Sequence, residues 1–246
     1  MTPDQVERYK RHLLVKEIGG PGQKKLLGAR VTVIGAGALG GQVALTLAAA
    51  GIGHIQVFDD DRVELSNLQR QTQFSTEDVG ALKVEALGRR LAALNPDVSL
   101  DMISERWGEG RSSIEADLLL DGTDNFESRY QINAWSRARG IPLVSGAVAG
   151  WQGQVMLVNP ANKPDAPCYR CFVPDIPPDA GNCNDLGVVG AVTTMTANQM
   201  ALLTVKYCLG LPVKPGDLWL FDGLAGRTRQ VGIMQDPACP VCRSGK

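Results

Sequence analysis

Residues 31–40 have the sequence VTVIGAGALG, in which a short apolar stretch runs directly into a glycine-rich turn. The apolar residues before the turn predict a buried strand, and residues 39–50 predict an apolar helix that ends at Gly51. Residues 55–58 predict a second buried strand. Since a strand, a helix and a strand in this order form a βαβ unit, we expect a parallel pairing. The segment therefore predicts an α/β fold that is Rossmann-like and doubly wound, with a mostly parallel sheet.

The rest of the chain alternates between strand and helix patterns, with two interruptions. Residues 19–22, GGPG, predict a break near the N-terminus. Residues 160–185 contain six of the fourteen prolines, so we expect a long irregular segment there. We expect the last two strands to add an antiparallel C-terminal part to the sheet. The predicted strands are 98–102, at an edge, then 116–120, 142–145, 154–158, 218–221 and 230–234, and the predicted helices are 75–94, one ending near 139, and 190–209.

The composition excludes several classes of protein. A chain of 246 residues with 44% hydrophobic and 21% charged residues is an ordinary globular protein, not a disordered one. Twenty-five basic and twenty-six acidic residues give a net charge of -1, so we expect neither nucleic acid nor a membrane as partner. Residues 31–58 carry no Asp, Glu, Lys or Arg, but six glycines interrupt them, which disfavours a membrane span. The polar N-terminus lacks a signal-peptide pattern, so we expect a cytoplasmic protein.

The glycine turn is the first candidate binding element. Gly35, Gly37 and Gly40 form a GxGxxG pattern between a strand and a helix, where backbone N–H groups can approach a phosphate. Asp59 follows nineteen residues after Gly40, at the end of the second strand, where a carboxylate can bind ribose hydroxyls. The pattern therefore predicts nucleotide binding, with ATP and NAD both open. The alternative is a glycine-rich turn that only permits close packing.

Four polar residues beyond Asp59 favour a polyphosphate. Asn67 and Arg70 lie in a polar stretch just after it, and Lys83 falls within an apolar helical stripe where it needs an anion or must reach solvent. Asp124 lies just past the end of a strand, where a single carboxylate suits Mg²⁺ shared with phosphate oxygens. The alternatives are a surface Arg70, a Lys83 that extends to solvent, and an Asp124 that only caps a helix.

The cysteines form a second candidate site. Cys168 and Cys171 make one CxxC pair, and Cys239 and Cys242 make another near the C-terminus. Four thiolates can close a tetrahedral zinc site with no open position, so we expect a structural zinc that pins the tail. A redox CxxC and metal-free thiols are the alternatives. Cys208, late in an apolar helix, is interpreted as a core residue.

Together these motifs resemble the MoeB/ThiF/HesA family, along residues 5–243. The resemblance is carried by GAGALG, by the DxDxVxxSNLQRQ pattern that begins at Asp59, by Lys83, by DGTDN at 121–125 with Arg129, and by the two CxxC pairs. The family consists of E1-like enzymes that activate ubiquitin-like sulfur carriers. The resemblance therefore implies that ATP reacts with the C-terminal glycine of a carrier with a GlyGly end, which gives an acyl adenylate and pyrophosphate.

The resemblance also implies roles for individual residues. Asp59 would bind the ribose, Asn67, Arg70 and Lys83 the phosphates, and Asp124 the magnesium ion. Arg11 matches an arginine that reaches into the partner subunit's nucleotide site, which implies a homodimer. The family usually has a glycine where Ala38 stands, but that contact is made by the backbone. The further nucleotide-binding positions that the resemblance implies are Gly35, Gly37, Ala38, Gly40, Ser66 and Asn125.

Cys183 and the biosynthetic pathway stay open. In the ThiF branch a cysteine at the place of Cys183 can join the carrier covalently, whereas in the MoeB branch none is required, and an unreactive loop thiol is the alternative. FDDD, NCND and CPVC are somewhat more ThiF-like, but they do not choose between a ThiS-type carrier for thiamine and a MoaD-type carrier for molybdopterin. We expect no fused rhodanese domain of the kind found in some relatives, and therefore a separate sulfurtransferase.

We interpret residues 1–246 as one E1-like domain, with a nucleotide-binding half at 1–160. Residues 161–246 would then hold the crossover segment, the carrier-binding part and the zinc site. Two other functions compete with the adenylyltransferase. An NAD-dependent oxidoreductase would need a base near the hydride site, yet the two histidines are His12 and His54. A zinc-pinned binding module would bind no nucleotide, or would bind it without turnover.

Overall fold

The computed structural model describes residues 1–108, 114–158, 163, 165–176 and 187–243. Within these ranges the chain forms one eight-stranded sheet with helices packed on it. The strands are β1 (Arg30–Ile34), β2 (His54–Phe58), β3 (Ser99–Ile103), β4 (Leu118–Asp121), β5 (Leu143–Ala149), β6 (Gln152–Val158), β7 (Asp217–Asp222) and β8 (Arg227–Gly232). The helices are α1 (Pro3–Leu13), α2 (Gly19–Gly28), α3 (Gly40–Ala50), α4 (Lys83–Leu94), α5 (Phe126–Arg139), α6 (Tyr169–Phe172), α7 (Gly190–Leu209) and α8 (Pro240–Arg243), with short 3-10 turns at Leu65–Asn67 and Thr76–Asp78.

The strand order is β3-β2-β1-β4-β5-β6-β7-β8. Strands β1 to β5 pair in parallel, and β6, β7 and β8 join antiparallel. The prediction of a mostly parallel sheet with an antiparallel C-terminal part is therefore confirmed, as is the edge position of β3. The chain runs outward from β1 through β2 to β3 and then returns to β4 on the other side of β1. In open α/β sheets, ligands bind outside the carboxyl ends of the strands at such a reversal.

Two apolar cores cover the two faces of the sheet. In one core Val33 of β1 packs with Leu47 of α3 and Met200 of α7, all fully buried. In the other core Leu119 of β4 packs with Ile132 of α5. Successive strand residues alternate between the two cores because side chains in a strand point to opposite faces. Helices on both faces make the fold doubly wound, as predicted.

The predicted break at residues 19–22 is wrong, because these residues form the first turn of α2. Proline is tolerated in the first turn of a helix, where its missing N–H would have no intrahelical partner. Gly22 has a packing role: a Cβ there would lie 2.9 Å from Cδ2 of Leu209, at the end of α7. Gly22 therefore lets α2 approach α7, and the segment does not end a helix.

The predicted helix at 75–94 is shorter than expected, because α4 begins at Lys83. Gly80 adopts a left-handed φ of 90°, and Leu82 before the helix is extended. Val79 therefore lies outside the helix and is 44% exposed, so it shares no apolar stripe with Lys83. Lys83 is buried nonetheless, as the first residue of α4.

No helix in the described part of the chain has the length and apolar character needed to span a bilayer.

Candidate functional site

Most of the predicted site residues meet around one cavity at the carboxyl ends of β1, β2 and β4. This is the side of the sheet where the strand order reverses. The glycine turn after β1 forms one wall, the residues after β2 and the start of α4 form a second, and the start of α5 forms a third. The residues that line it include Gly35, Gly37, Ala38, Asp59, Asp61, Arg70, Gln71, Lys83, Trp107, Thr123, Asp124, Asn125 and Arg129.

The turn between β1 and α3 requires its glycines. Gly35 has a left-handed φ of 91°, which favours glycine. A Cβ on Gly40 would lie 1.8 Å from the carbonyl oxygen of Gly35, so no side chain fits where the helix begins. Gly40 lies behind the turn and does not line the cavity, whereas Gly37 and Ala38 do. The turn thus brings the N-terminus of α3, with its unpaired N–H groups, to the cavity.

A glutamine that the sequence analysis missed supports this turn. Gln73 is 1% exposed, and its Nε2 donates to the carbonyl oxygens of Ala36 at 3.1 Å and Gly37 at 2.9 Å. Its neighbour Gln71 is also buried and lines the cavity. Both residues follow Arg70 within a few positions. The sequence shows two glutamines two positions apart, but it does not show that both are buried.

Asp59 lies at the end of β2, at the edge of the cavity. Its carboxylate accepts hydrogen bonds from the backbone N–H groups of Ala36 at 2.7 Å and Asp61 at 2.9 Å. Burial raises the pKa of Asp59 above its ordinary value, while the charge of Lys83 and the two N–H groups act in the opposite direction. The carboxylate therefore joins the glycine turn to β2 and faces the cavity.

The two predicted cations line the same cavity. Nζ of Lys83 donates to Oδ2 of Asp61 at 2.7 Å, and the lysine side chain is 8% exposed. Lys83 therefore meets an anion and does not extend to solvent. Nη1 of Arg70 donates to the carbonyl oxygen of Ser66 at 3.1 Å. Asp61 is the second aspartate of the DxD pattern, and the sequence analysis assigned it no role.

Asp124 lies in the cavity wall and does not cap α5. The cap is Asn125, whose Oδ1 accepts the N–H of Ser128 at 2.9 Å. Asp124 itself is exposed to the cavity. The alternative of a helix-capping Asp124 is therefore wrong. Arg129, one turn into α5, is 4% exposed and donates to the carbonyl oxygen of Thr123.

Besides Gly40, three predicted residues that the structure describes do not line the cavity. Ser66 is exposed, and Asn67 is buried with its Nδ2 3.4 Å from Oγ of Ser66; neither lines the cavity. Arg11 is exposed on α1 and does not line the cavity of its own chain. Cys183 lies outside the described residues.

The four CxxC cysteines come together at a second place, where α6 and α8 meet. Their sulfur atoms all lie within 4.8 Å of one another. Three Sγ–Sγ distances are 3.9 Å for Cys168–Cys171, 3.6 Å for Cys168–Cys239 and 3.6 Å for Cys171–Cys242. Four thiolates at about 2.3 Å from a tetrahedral zinc would be separated by about 3.8 Å. The cluster therefore has the spacing that a zinc ion requires.

Three cysteines of the cluster are buried and Cys171 is partly buried, and this burial raises the pKa of two of the thiols. Burial raises the pKa of Cys171 to about 11 and raises that of Cys168 further. Without a metal ion these two sulfurs are therefore protonated at neutral pH, and metal binding would release their protons. Cys208 lies outside the cluster, packed against the core near the end of α7, as predicted.

Comparison with protein families gives the same result as the motifs. A family model described as the ThiF family matches residues 9–241. The chain belongs to the ThiF family. Among curated relatives, the sulfur carrier protein ThiS adenylyltransferase of Escherichia coli is 40% identical over 238 residues, which cover 96% of this chain and 94% of the relative. A sulfur carrier protein adenylyltransferase of Thermus thermophilus is 38% identical, with coverage of 98% and 92%.

Solved structures support the fold of this ThiF-family chain. The crystal structure of Escherichia coli MccB matches with a TM-score of 0.84 and 24% identity. The match covers 98% of this chain and 74% of the MccB chain. At this level of identity the likeness concerns the fold alone, and it includes both the parallel and the antiparallel parts of the sheet.

Proposed function

We propose that this chain adenylylates the C-terminal glycine of a ubiquitin-like sulfur-carrier protein that ends in GlyGly. ATP and the carrier carboxylate would give an acyl adenylate and pyrophosphate. One observation carries the proposal: Arg70, Lys83 and Asp124 line a single cavity together with the glycine turn. The two relatives that are sulfur-carrier adenylyltransferases support the same reaction.

The residues around the cavity suit this chemistry. The nucleophile is a carboxylate that is already ionised at pH 7, so it attacks the α-phosphorus without a general base. The obstacle is the mutual repulsion of the carboxylate and the triphosphate, which positively charged groups and N–H groups can offset. Arg70, Lys83 and the N-terminus of α3 would neutralise and align the phosphates. Such a site needs no histidine, so the small number of histidines in this chain, two, does not count against the proposal.

We assign the sugar and metal contacts by position. Asp59, at the end of β2, would accept the ribose hydroxyls, with Gly35, Gly37 and Ala38 along the phosphates. Asp124 offers an exposed carboxylate at the cavity wall, and carboxylate oxygen is a ligand that Mg²⁺ prefers when it is shared with phosphate. A magnesium ion held there would supply charge neutralisation for the departing pyrophosphate. We propose that Asn125 positions Asp124 by fixing the start of α5. We also propose that Ser66 and Asn67 support the position of Arg70.

We propose a structural zinc ion at Cys168, Cys171, Cys239 and Cys242. The sulfur spacing supports it, and four sulfur ligands leave no open position for catalysis. This zinc would pin the C-terminal tail to α6. A reducing compartment such as the cytoplasm would keep these four free thiols available, and we propose that location.

Assembly and sulfur delivery complete the proposal. Arg11 is exposed on α1 and does not line the cavity of its own chain, so we propose a homodimer in which it reaches the partner's nucleotide site. Residues 1–160 would form the nucleotide-binding half, and residues 161–246 would supply the carrier-binding part. A separate sulfurtransferase would supply the sulfur. Cys183 would be either a covalent acceptor or an unreactive thiol, and the carrier would be of the ThiS or the MoaD type.

Carrier-dependent exchange between ATP and labelled pyrophosphate tests the proposal. We expect exchange with at least one GlyGly-ended carrier and none when the carrier lacks its last glycine. Absence of exchange with ThiS-type and MoaD-type carriers, in folded protein with its zinc bound, would overturn the proposal. Mass mapping of Cys183 during turnover with a sulfur donor would decide its role.

A further inference from the structure

Helix α5 connects the nucleotide cavity to the cysteine cluster. Its first residues belong to the cavity wall, since Asn125 caps it and Arg129 lies one turn further on. Its middle and end pack against α6 and α8, the two short helices beside the cysteines. A change at either end of α5 can therefore reach the other end through contacts between packed side chains.

Tyr169 is the residue at the centre of this connection. It follows Cys168 directly, and its backbone N–H donates to Oδ1 of Asn133 on α5 at 2.9 Å. Its side chain is 3% exposed, and its ring packs between those of Tyr130 and Phe172, with centroids 6.0 and 6.3 Å away. The cysteine cluster and α5 thus hold the tyrosine on two sides.

Tyr169 lies beside a residue of the cavity wall. Arg129 is one turn before Asn133 on the same face of α5, so the backbone bond to Asn133 places Tyr169 next to the buried guanidinium, which acts on the tyrosine oxygen by its charge and by a side-chain hydrogen bond. The guanidinium of Arg129 also donates to the carbonyl oxygen of Thr123, and both residues line the cavity. A buried guanidinium needs acceptors for its N–H groups, so the carbonyl oxygen of Thr123 and the hydroxyl of Tyr169 restrict its orientation.

We propose that Tyr169 is a positioning residue that links the cysteine cluster to the nucleotide cavity by orienting Arg129. The inference rests on the proposed function, because it takes ATP as the ligand of the cavity and zinc as the ligand of the cysteines. A zinc ion bound by Cys168 would fix the start of α6 and therefore the position of Tyr169. Tyr169 would then hold the guanidinium of Arg129 beside the phosphates. Coupling between two binding sites is reciprocal, so bound ATP must also stabilise the zinc site.

The variant Tyr169→Phe tests the link, with Tyr130→Phe as the matched control. Both variants remove one hydroxyl from the same aromatic cluster, but the hydroxyl of Tyr130 donates to the carbonyl oxygen of Val173, at 3.1 Å. We expect Tyr169→Phe to weaken Mg-ATP binding about tenfold by calorimetry while retaining about one zinc per chain. Tyr130→Phe should stay within about twofold of the unaltered protein.

A second measurement distinguishes a link from a local structural defect. We expect bound Mg-ATP to slow the loss of zinc to a chelator several-fold in the unaltered protein and in Tyr130→Phe, but not in Tyr169→Phe. Unaltered Mg-ATP affinity in Tyr169→Phe, or equal slowing in all three proteins, would overturn the link and leave the proposed function standing. An unaltered protein that binds no Mg-ATP would instead overturn the proposed function, and the link with it.

Discussion

The two ends of the sheet differ in how their side chains are held in place. At the parallel end, β4 is buried at every residue, and the carboxyl ends of β1, β2 and β4 meet at a polar cavity. At the antiparallel end, β8 is exposed at every residue, and four cysteines lie close together where α8 approaches α6. We infer that packing of the buried strands positions the site at the parallel end. The C-terminal end depends instead on the proposed zinc ion, which would link the cysteines. Substitutions that remove polar side chains should therefore cost activity at the first end and stability at the second.

The largest effect is expected for Lys83→Ala, at the parallel end. The variant would lose the cation beside the phosphates and leave Asp59 and Asp61 without its charge. We expect about a thousandfold loss of kcat in carrier-dependent pyrophosphate exchange, the size typical of losing one well-placed charge-stabilising group. Circular dichroism and the melting temperature should change little, because the fold at this end does not depend on one side chain.

Arg89→Ala is the matched control for Lys83→Ala. Arg89 also lies on α4, but it is exposed and pairs with Asp78 on the surface. We expect exchange within about twofold of the unaltered protein, because a surface ion pair contributes little. If Lys83→Ala kept its exchange activity, Lys83 would not serve catalysis. If the variant unfolded, the parallel end would depend on this side chain for stability, which contradicts the expected difference between the two ends.

The next effect is expected for Cys239→Ser, at the antiparallel end. Cys239 is 1% exposed and its sulfur lies 3.6 Å from that of Cys168. We expect loss of the bound zinc in elemental analysis and a destabilisation of about 3 kcal/mol, because losing a metal site is among the largest single-residue effects. Cys208→Ser should keep the zinc, since Cys208 lies outside the cluster. If Cys239→Ser kept its full zinc content, the four cysteines would not form the proposed zinc site.

The glycine turn tests whether the parallel end tolerates a change of shape. In Gly40→Ala the added Cβ would lie 1.8 Å from the carbonyl oxygen of Gly35, so the turn must shift. We expect a loss of about 2 kcal/mol in the free energy of unfolding by urea titration, together with weaker ATP binding. Gly28→Ala, where a Cβ would meet nothing within 4 Å, is the control and should be nearly neutral. Equal effects of the two changes would count against a tightly packed turn.

The sequence was sufficient for the parts of this site that follow one another along the chain. The glycine turn and Asp59 come directly after a strand and Asp124 comes three residues after one, and the carboxyl ends of parallel strands meet at one edge of the sheet. The cysteine cluster followed from its spacing. Gln73 could not be predicted, because its role depends on two carbonyl groups thirty-six and thirty-seven residues earlier in the chain.

Lys83 shows how a correct residue can follow from a faulty local pattern. The pattern placed it in the middle of a helical stripe with Val79, but Gly80 ends that stripe and Lys83 begins α4. Its side chain is directed by the contact with Asp61, not by helical periodicity. The start of a helix is set by which backbone N–H groups find partners, and a hydrophobic pattern does not record that.

The smallest effect concerns the pH dependence of ATP binding, which tests the role of Asp59. Burial raises the pKa of this carboxyl above its ordinary value, so it becomes protonated at a higher pH than an exposed aspartate does. A protonated carboxyl accepts ribose hydroxyls less well. ATP should therefore bind most tightly at pH values above the raised pKa of Asp59, and its affinity should fall as the pH decreases through that pKa. We expect a decrease of about fivefold, which corresponds to about one hydrogen bond.

Asp59→Asn separates this titration from that of the nucleotide. The phosphates of ATP titrate in the same way with either protein, so any difference between the two pH profiles belongs to Asp59. We expect the variant to bind ATP more weakly at neutral pH and to lack the additional decrease at low pH. Parallel profiles would mean that the carboxylate serves only the backbone N–H groups of Ala36 and Asp61. Asp59 would then stabilise the turn without contacting the ligand, and the parallel end would resemble the cysteine end in using a charged group for structure.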